Sequence, residues 1–191
     1  MWQLGPRDEA ALATAWRAAA PFAHVVLDDV VPTGDLMAVL DDEGVARYEG
    51  DLFVFEASPP NGLPELRAQF AAALAPLLSR VTGKQVSRAD MRAFAYRPGH
   101  YLLPHTDHQE GLARLLAYAY YLPSPEPPDG GELELFRCEL AGGELVVTEP
   151  ALRIEPRPWR LVVFDVSDVS LHQVCEVLAG LRISLAGWFY A

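Results

Sequence analysis

The chain has 191 residues and a formal net charge of −11, with 51% apolar and 21% charged residues. This length and balance predict one globular domain with a hydrophobic core, and they exclude an intrinsically disordered chain. An acidic surface repels phosphate backbones, so we expect no nucleic-acid partner. Cys138 and Cys175 are too few for a disulfide framework, and we expect two thiols in a reducing compartment.

The N-terminal residues have no basic segment followed by an apolar stretch, so they do not form a secretory signal. No apolar run in the sequence is long enough to span a bilayer. We therefore expect a soluble, cytoplasmic protein with no membrane partner.

The first part of the chain, residues 1–85, is predicted to be a mostly helical support region. Its features are, in order, a predicted Ala-rich helix at 8–19, a short apolar run at 24–28, a predicted helix after Pro32, and a predicted amphipathic helix at 63–81. Pro76 lies inside the last of these and predicts a kink or a break, because proline has no backbone N–H.

From about residue 86 the apolar pattern changes to a period of two. The predicted strands are 90–97, 100–106, 114–122, 131–137, 144–149, 158–165, 171–177 and 180–190, and residues 123–131 are predicted to be a loop. This number of short strands predicts a sandwich or barrel. The fold class is therefore α+β, mainly β, with a jelly-roll or cupin-like core at 86–191 and helices before it, in one domain of residues 1–191.

A His-x-Asp pattern stands out in the second part. His105 and Asp107 are two residues apart, so in a strand both side chains project from the same face. A third metal ligand could come from His172 on a later strand. Two histidines and one carboxylate form the facial triad of non-haem iron(II) oxygenases. The alternative is that these are ordinary exposed loop residues.

Arg182 is a single inward-facing cation in an apolar terminal strand. A buried guanidinium is costly unless it is paired, and it binds carboxylates well when the carboxylate belongs to a ligand. Ser184 has the same strand parity and could add a hydroxyl donor. The alternatives are an exposed arginine on an edge strand and a buried Arg–Glu pair.

Six segments taken together resemble the prolyl 4-hydroxylase-like 2-oxoglutarate- and iron(II)-dependent dioxygenases. They occur in order at 96–107, 114–122, 130–136, 161–164, 172–174 and 182–189. The stretch 21–30 is also similar to the N-terminal entry of bacterial single-domain members. The resemblance implies a double-stranded β-helix with N-terminal helices packed on one sheet.

The resemblance also implies residue roles. His105, Asp107 and His172 would ligate Fe(II), and these three are the expected catalytic residues. Arg182 would bind the distal carboxylate of 2-oxoglutarate, with help from Ser184.

Three aromatic residues would complete the co-substrate pocket. Tyr96 would lie against 2-oxoglutarate and Trp188 would form a wall. A tyrosine of the strand at 114–122 would contact the carboxylate; Tyr121 is favoured over Tyr120, because Tyr121 shares its face with small alanines.

The implied reaction is hydroxylation of an unactivated C–H bond, with release of succinate and CO2. Fe(II), 2-oxoglutarate and O2 are the expected cofactors, with ascorbate as a candidate addition. We expect a prolyl residue of a protein or peptide as substrate. The alternatives are hydroxylation of a small molecule, such as a free amino acid or a natural-product intermediate, and a non-catalytic jelly-roll binding or sensing protein.

Overall fold

The computed structural model describes residues 2–41, 44–60 and 62–191. The helices are α1 (Glu9–Ala18), α2 (Leu36–Asp41) and α3 (Pro64–Thr82). The strands are β1 (Trp2–Gln3), β2 (His24–Leu27), β3 (Val31–Pro32), β4 (Ala46–Gly50), β5 (Phe53–Ala57), β6 (Arg88–Ala89), β7 (Arg92–Tyr96), β8 (Tyr101–His105), β9 (Arg114–Tyr121), β10 (Asp129–Gly130), β11 (Leu133–Ala141), β12 (Glu144–Ile154), β13 (Leu161–Asp165), β14 (His172–Val174), β15 (Val177–Ala179) and β16 (Arg182–Tyr190).

Most of these strands join one antiparallel sheet that curls back on itself. Its strand order is β12-β11-β14-β8-β5-β7-β16-β9-β13-β2, with β4 beside β5 and β6 beside β16. Leu135 on β11 and Ile154 on β12 pack in one buried cluster with Ala119 on β9 and Val162 on β13. Strands from opposite ends of the order therefore face each other across an interior, and the predicted double-stranded β-helix is confirmed.

The alternation of side chains along β9 separates two cores. Tyr118 and Tyr120 face the helices, where the Phe70 ring of α3 lies 4.9 Å from the Tyr118 ring. Ala119 and Tyr121 face the interior of the curled sheet. Because the interior positions next to Tyr121 carry small side chains, the sheet encloses open space on that side.

Helix α3 runs without interruption through Pro76, so the predicted break is wrong. The apolar residues Leu74, Leu77 and Leu78 on either side of the proline are all buried. Their burial outweighs the one backbone hydrogen bond that proline cannot donate. In the described part of the chain, no helix is both long and apolar enough to cross a membrane.

All eight strands predicted after residue 86 are present, although 171–177 is divided between β14 and β15. The first 85 residues differ more from expectation, because β4 and β5 follow α2 in a region predicted to be mostly helical. Strand β5 pairs with β7 through Glu56 and Ala57, and with β8 through Phe53 and Val54. It therefore links the strand that carries Tyr96 to the strand that ends at His105.

Candidate active site

Two histidines and one carboxylate meet where β8 and β14 pair. His105 ends β8 and lies directly opposite His172, which begins β14. Nε2 of His105 is 3.8 Å from Oδ1 of Asp107, and Nε2 of His172 is 3.5 Å from Oδ2 of the same carboxylate. One ligand atom of each residue lies within 4.8 Å of the other two. The structure thus brings together the three residues that the sequence singled out, in an arrangement suited to one metal ion.

The backbone fixes both imidazole rings. Nδ1 of His105 lies 2.9 Å from the carbonyl oxygen of Leu103, and Nδ1 of His172 lies 2.9 Å from that of Ser170. Since a carbonyl can only accept, each neutral ring carries its proton on Nδ1. Each Nε2 lies next to the Asp107 carboxylate and keeps its lone pair free to bind a metal ion.

His172 is held in its neutral form. Burial, and secondly the nearby His105 ring, lower the pKa of His172 to about 4. The ring of Phe164 packs against it at 4.6 Å. Near neutral pH the imidazole therefore binds a cation without first losing a proton.

Arg182 is a buried cation with no acidic partner among the residues described. It is 3% exposed, its Nε has no hydrogen-bond partner, and Nη1 reaches only Ser184 Oγ at 3.3 Å. A Cβ on Gly131, which has a φ of +72°, would lie 2.9 Å from Arg182 Cδ. The absence of a side chain on Gly131 thus makes room for Arg182. No described acidic group compensates the positive charge of the guanidinium, and a carboxylate of a ligand would do so.

Two tyrosines enclose the Arg182 guanidinium. Its carbon lies 4.7 Å from the ring centre of Tyr96 and 5.0 Å from that of Tyr121. Burial raises the pKa of Tyr96 to about 12, so its phenol stays protonated. The hydroxyl of Tyr121 is buried and has no partner in the described part of the structure. Tyr120 points to the helix side instead, where its hydroxyl donates to the Val30 carbonyl at 2.6 Å.

Trp188 forms a further wall, and it connects to the candidate metal ligands through Arg114. The Arg114 guanidinium carbon lies 3.5 Å from the Trp188 ring centre. Nη1 of Arg114 donates to the backbone carbonyl of Asp107 at 3.1 Å. The stacked pair therefore supports the segment that positions the carboxylate.

Six of the eight predicted site residues line one cavity of about 440 Å³, and His105 and Tyr121 are not among its lining residues. The predicted residues that line it are Tyr96, Asp107, His172, Arg182, Ser184 and Trp188. This volume is in the range of small-molecule sites. The nitrogen and carboxylate donors suit Fe(II) with open coordination positions, and Arg182 with Tyr121 offers donors for a carboxylate. The residues present therefore fit both an iron ion and 2-oxoglutarate.

The other histidines lie outside this cluster. His108 lies 3.4 Å from Asp168 on the exposed rim. His100 is buried, and its Nε2 lies 3.3 Å from Arg47 Nη1. His24 is on β2, where Nδ1 meets the Phe22 carbonyl.

Three residues in or beside the cavity were not predicted from the sequence. Phe55 and Arg92 line the cavity. Phe55 lies on β5, which was not predicted as a strand. Arg92 was not predicted as a site residue, although it shares strand parity with Tyr96. Arg114 was not identified because its role depends on stacking with Trp188, 74 residues later in the chain.

Comparison with known proteins agrees with this geometry. Residues 91–190, just over half of the chain, match the model of the 2OG-Fe(II) oxygenase superfamily. Prolyl 3-hydroxylase OGFOD1 of Xenopus laevis is 31% identical over 186 residues, a match that covers 89% of this chain and 35% of the relative.

Solved structures share the fold. A prolyl-4-hydroxylase of Pseudomonas putida has a TM-score of 0.69 at 24% identity, over 95% of this chain and 98% of that one. The 2-oxoglutarate-dependent epimerase SnoN from nogalamycin biosynthesis has a TM-score of 0.70 at 14% identity, over 95% of this chain and 81% of that one.

The matched part of this chain spans about a third of the length of the curated relatives. The family model, by contrast, covers the segment that carries all eight predicted site residues. The chain therefore belongs to the 2OG-Fe(II) oxygenase superfamily, whose enzymes use Fe(II), 2-oxoglutarate and O2.

Proposed function

We propose that this enzyme hydroxylates a prolyl residue of a protein or peptide. In this reaction 2-oxoglutarate and O2 are converted to succinate and CO2; one oxygen atom enters succinate and the other forms the new hydroxyl group. The observation that carries the proposal is the buried, uncompensated Arg182 in the same cavity as Asp107 and His172, which lie beside His105. A metal site combined with a carboxylate receptor suits a reaction that uses a keto acid bound to a metal.

His105, Asp107 and His172 are proposed as the Fe(II) ligands. Bound iron supplies the oxygen chemistry. The backbone orients both imidazoles through their Nδ1–H···O=C bonds, and burial keeps His172 neutral. Three protein ligands would leave coordination positions on the iron for 2-oxoglutarate and O2.

Arg182 is proposed to bind the distal carboxylate of 2-oxoglutarate. Ser184 Oγ and the Tyr121 hydroxyl are the adjacent polar groups, and Tyr96 packs against the guanidinium. Because Tyr96 stays protonated, it adds no negative charge that would compete for Arg182. Trp188 closes the wall and excludes water from the reacting groups.

The aromatic wall supports a prolyl substrate. The Phe55 ring lies 5.3 Å from the Phe94 ring and 5.8 Å from the Tyr96 ring, and all three residues line the cavity. The flat, apolar ring of proline packs well on such a surface. The names of two relatives, a prolyl 3-hydroxylase and a prolyl-4-hydroxylase, support the same substrate class.

The proposal is tested with a library of capped peptides of the form X-Pro-X. Purified protein with Fe(II), 2-oxoglutarate and ascorbate is incubated with the library in air, and the products are analysed by tandem mass spectrometry. We expect one oxygen atom to be added to proline in a subset of peptides, and none with Asp107→Ala. Oxidation of free amino acids with no peptide oxidised would contradict the proposal in favour of a small-molecule substrate.

A further inference from the structure

Arg92 is a second guanidinium in the cavity wall. Its Nε donates to the Ser58 carbonyl at 2.8 Å, and its guanidinium carbon lies 4.8 Å from the Tyr48 ring centre and 5.6 Å from that of Phe94. Its terminal Nη2 is buried and has no hydrogen-bond partner within the described ranges. Arg92 is thus a rigidly held cation with an unused donor.

The acid that lines the same cavity does not satisfy this donor. Asp90 lines the same cavity, but its Oδ1 accepts from the Trp188 backbone N–H at 2.6 Å and its Oδ2 accepts from the Tyr190 hydroxyl at 2.9 Å. Within residues 2–41, 44–60 and 62–191, no ion pair includes Arg92. A buried donor without a partner is destabilising, so its presence in a cavity wall indicates a bound acceptor.

The position of Arg92 shows which molecule brings that acceptor. In the β7–β16 ladder, Tyr96 is opposite Arg182 and Arg92 is opposite Ala186. Four residues along a strand span about 13 Å. This separation of the two backbone positions exceeds the length of a five-carbon diacid, so we place Arg92 beyond the 2-oxoglutarate that Arg182 would bind. The acceptor therefore belongs to the second substrate.

The geometry also indicates the kind of acceptor. Carboxylates bind arginine best through two parallel N–H groups, and Ser58 already occupies Nε, so the Nε–Nη2 edge of Arg92 does not bind a carboxylate in this way. A single donor from Nη2 suits a single carbonyl oxygen. Phe94 lies on one side of Arg92 and packs against Phe55, so an apolar ring can be bound next to this carbonyl.

We propose that Arg92 is a specificity-determining residue that donates a hydrogen bond to a main-chain carbonyl of the peptide, next to the proline that is hydroxylated. This inference rests on the proposed prolyl hydroxylase function. It adds a peptide-binding contact four residues along β7 from Tyr96, the residue opposite Arg182.

The test compares Arg92→Met with Arg88→Met in steady-state kinetics. Both variants lose one positive charge, but Arg88 is exposed and its guanidinium lies 4.0 Å from the Tyr190 ring centre, outside the cavity. The substrate is the best capped prolyl peptide from the library. For Arg92→Met we expect the KM for peptide to rise about tenfold to hundredfold, with the KM for 2-oxoglutarate unchanged. For Arg88→Met we expect both KM values to match those of the wild type.

If Arg92→Met does not fold, Arg92→Lys takes its place, because lysine keeps a donor on a similar stem but not the planar group. A smaller rise in the peptide KM is then expected. An unchanged peptide KM in the folded variant would overturn the inference while leaving the proposed function intact. If the Arg92 variant raised the KM only for the free acid N-acetylproline, and not for capped peptides, the contact would be to a carboxylate. That result would overturn the assignment to a main-chain carbonyl. If wild-type protein oxidised no peptide, the proposed function itself would fail, and this inference with it.

Discussion

The Arg182 guanidinium lies 5.0 Å from the ring of Tyr121, and both residues keep a buried polar atom without a hydrogen-bond partner in the described structure. Two such groups next to each other lower the stability of the ligand-free protein. Both become satisfied if one carboxylate binds between them. Substitutions of Arg182 and Tyr121 should therefore change 2-oxoglutarate affinity and protein stability in different ways.

Replacing Arg182 with Met should weaken 2-oxoglutarate binding by about a hundredfold, because the carboxylate loses a charged donor. The measurement is a calorimetric titration of 2-oxoglutarate into the Mn(II)-loaded protein without O2. Arg137→Met is the control, since Arg137 is exposed and pairs with Glu149 on the β11–β12 hairpin. Equal affinities for wild type and Arg182→Met would contradict the assignment.

The same Arg182 substitution should not destabilise the ligand-free protein. It removes a buried charge that the described residues leave unpaired, so the free energy of unfolding should stay unchanged or rise by about 1 kcal/mol. Urea unfolding of the metal-free protein measures this. A loss of several kcal/mol would mean that Arg182 has a structural partner in the folded protein.

Tyr121→Phe and Tyr120→Phe form a matched pair on opposite faces of β9. Tyr121→Phe should lower the affinity for 2-oxoglutarate about tenfold and leave stability nearly unchanged. Tyr120→Phe should leave the affinity unchanged and lower the free energy of unfolding by about 1 kcal/mol, because the Val30 carbonyl loses its donor. The reverse pattern would show that the wrong tyrosine has been assigned.

Asp28 and Arg160 predict a pH-dependent contribution to stability. The hydrogen bonds from Arg160 hold the pKa of Asp28 below its ordinary value of 3.8. The unfolded chain therefore takes up the proton more readily than the folded one. The ion pair stabilises the protein above about pH 4, and this stability is lost as the pH falls through the lowered pKa.

Asp28→Asn should accordingly lower the free energy of unfolding by about 1 kcal/mol near pH 7, a modest value because solvent screens the half-exposed Asp28. The difference from wild type should shrink below about pH 4. Urea unfolding across this range is the measurement. Asp29→Asn is the control, because it changes the charge equally and removes no ion pair within the described ranges. A difference that stays constant with pH would contradict the predicted linkage.

Much of the interior was predictable because strand parity is a local property. It placed Arg182 and Ser184 on one face, and it separated Tyr121 from Tyr120, as the structure shows. The double-stranded β-helix was predicted from the strand pattern together with the resemblance. Strand parity alone could not show that His105 and His172 lie directly opposite each other. This depends on the register between β8 and β14, and the two histidines are 67 residues apart in the chain.

Other features depend on tertiary contacts, and the sequence pattern did not indicate them. Pro76 is tolerated because its neighbours in α3 are buried. Strand β5 is a short segment held between β7 and β8. The roles of Arg92 and Arg114 arise from aromatic rings that approach them from distant parts of the chain.

We propose that His105, Asp107 and His172 form an iron site that supports consumption of 2-oxoglutarate. The most direct test loads the purified protein with Fe(II) without O2, then adds 2-oxoglutarate and air and measures succinate. His105→Ala/Asp107→Ala is the inactive comparison, and His108→Ala is the control for loss of a nearby histidine. Succinate formation by the wild type and His108→Ala, but not by the double variant, is the predicted result. Equal succinate formation by the double variant, or failure of the wild type to bind either Fe(II) or 2-oxoglutarate, would contradict it.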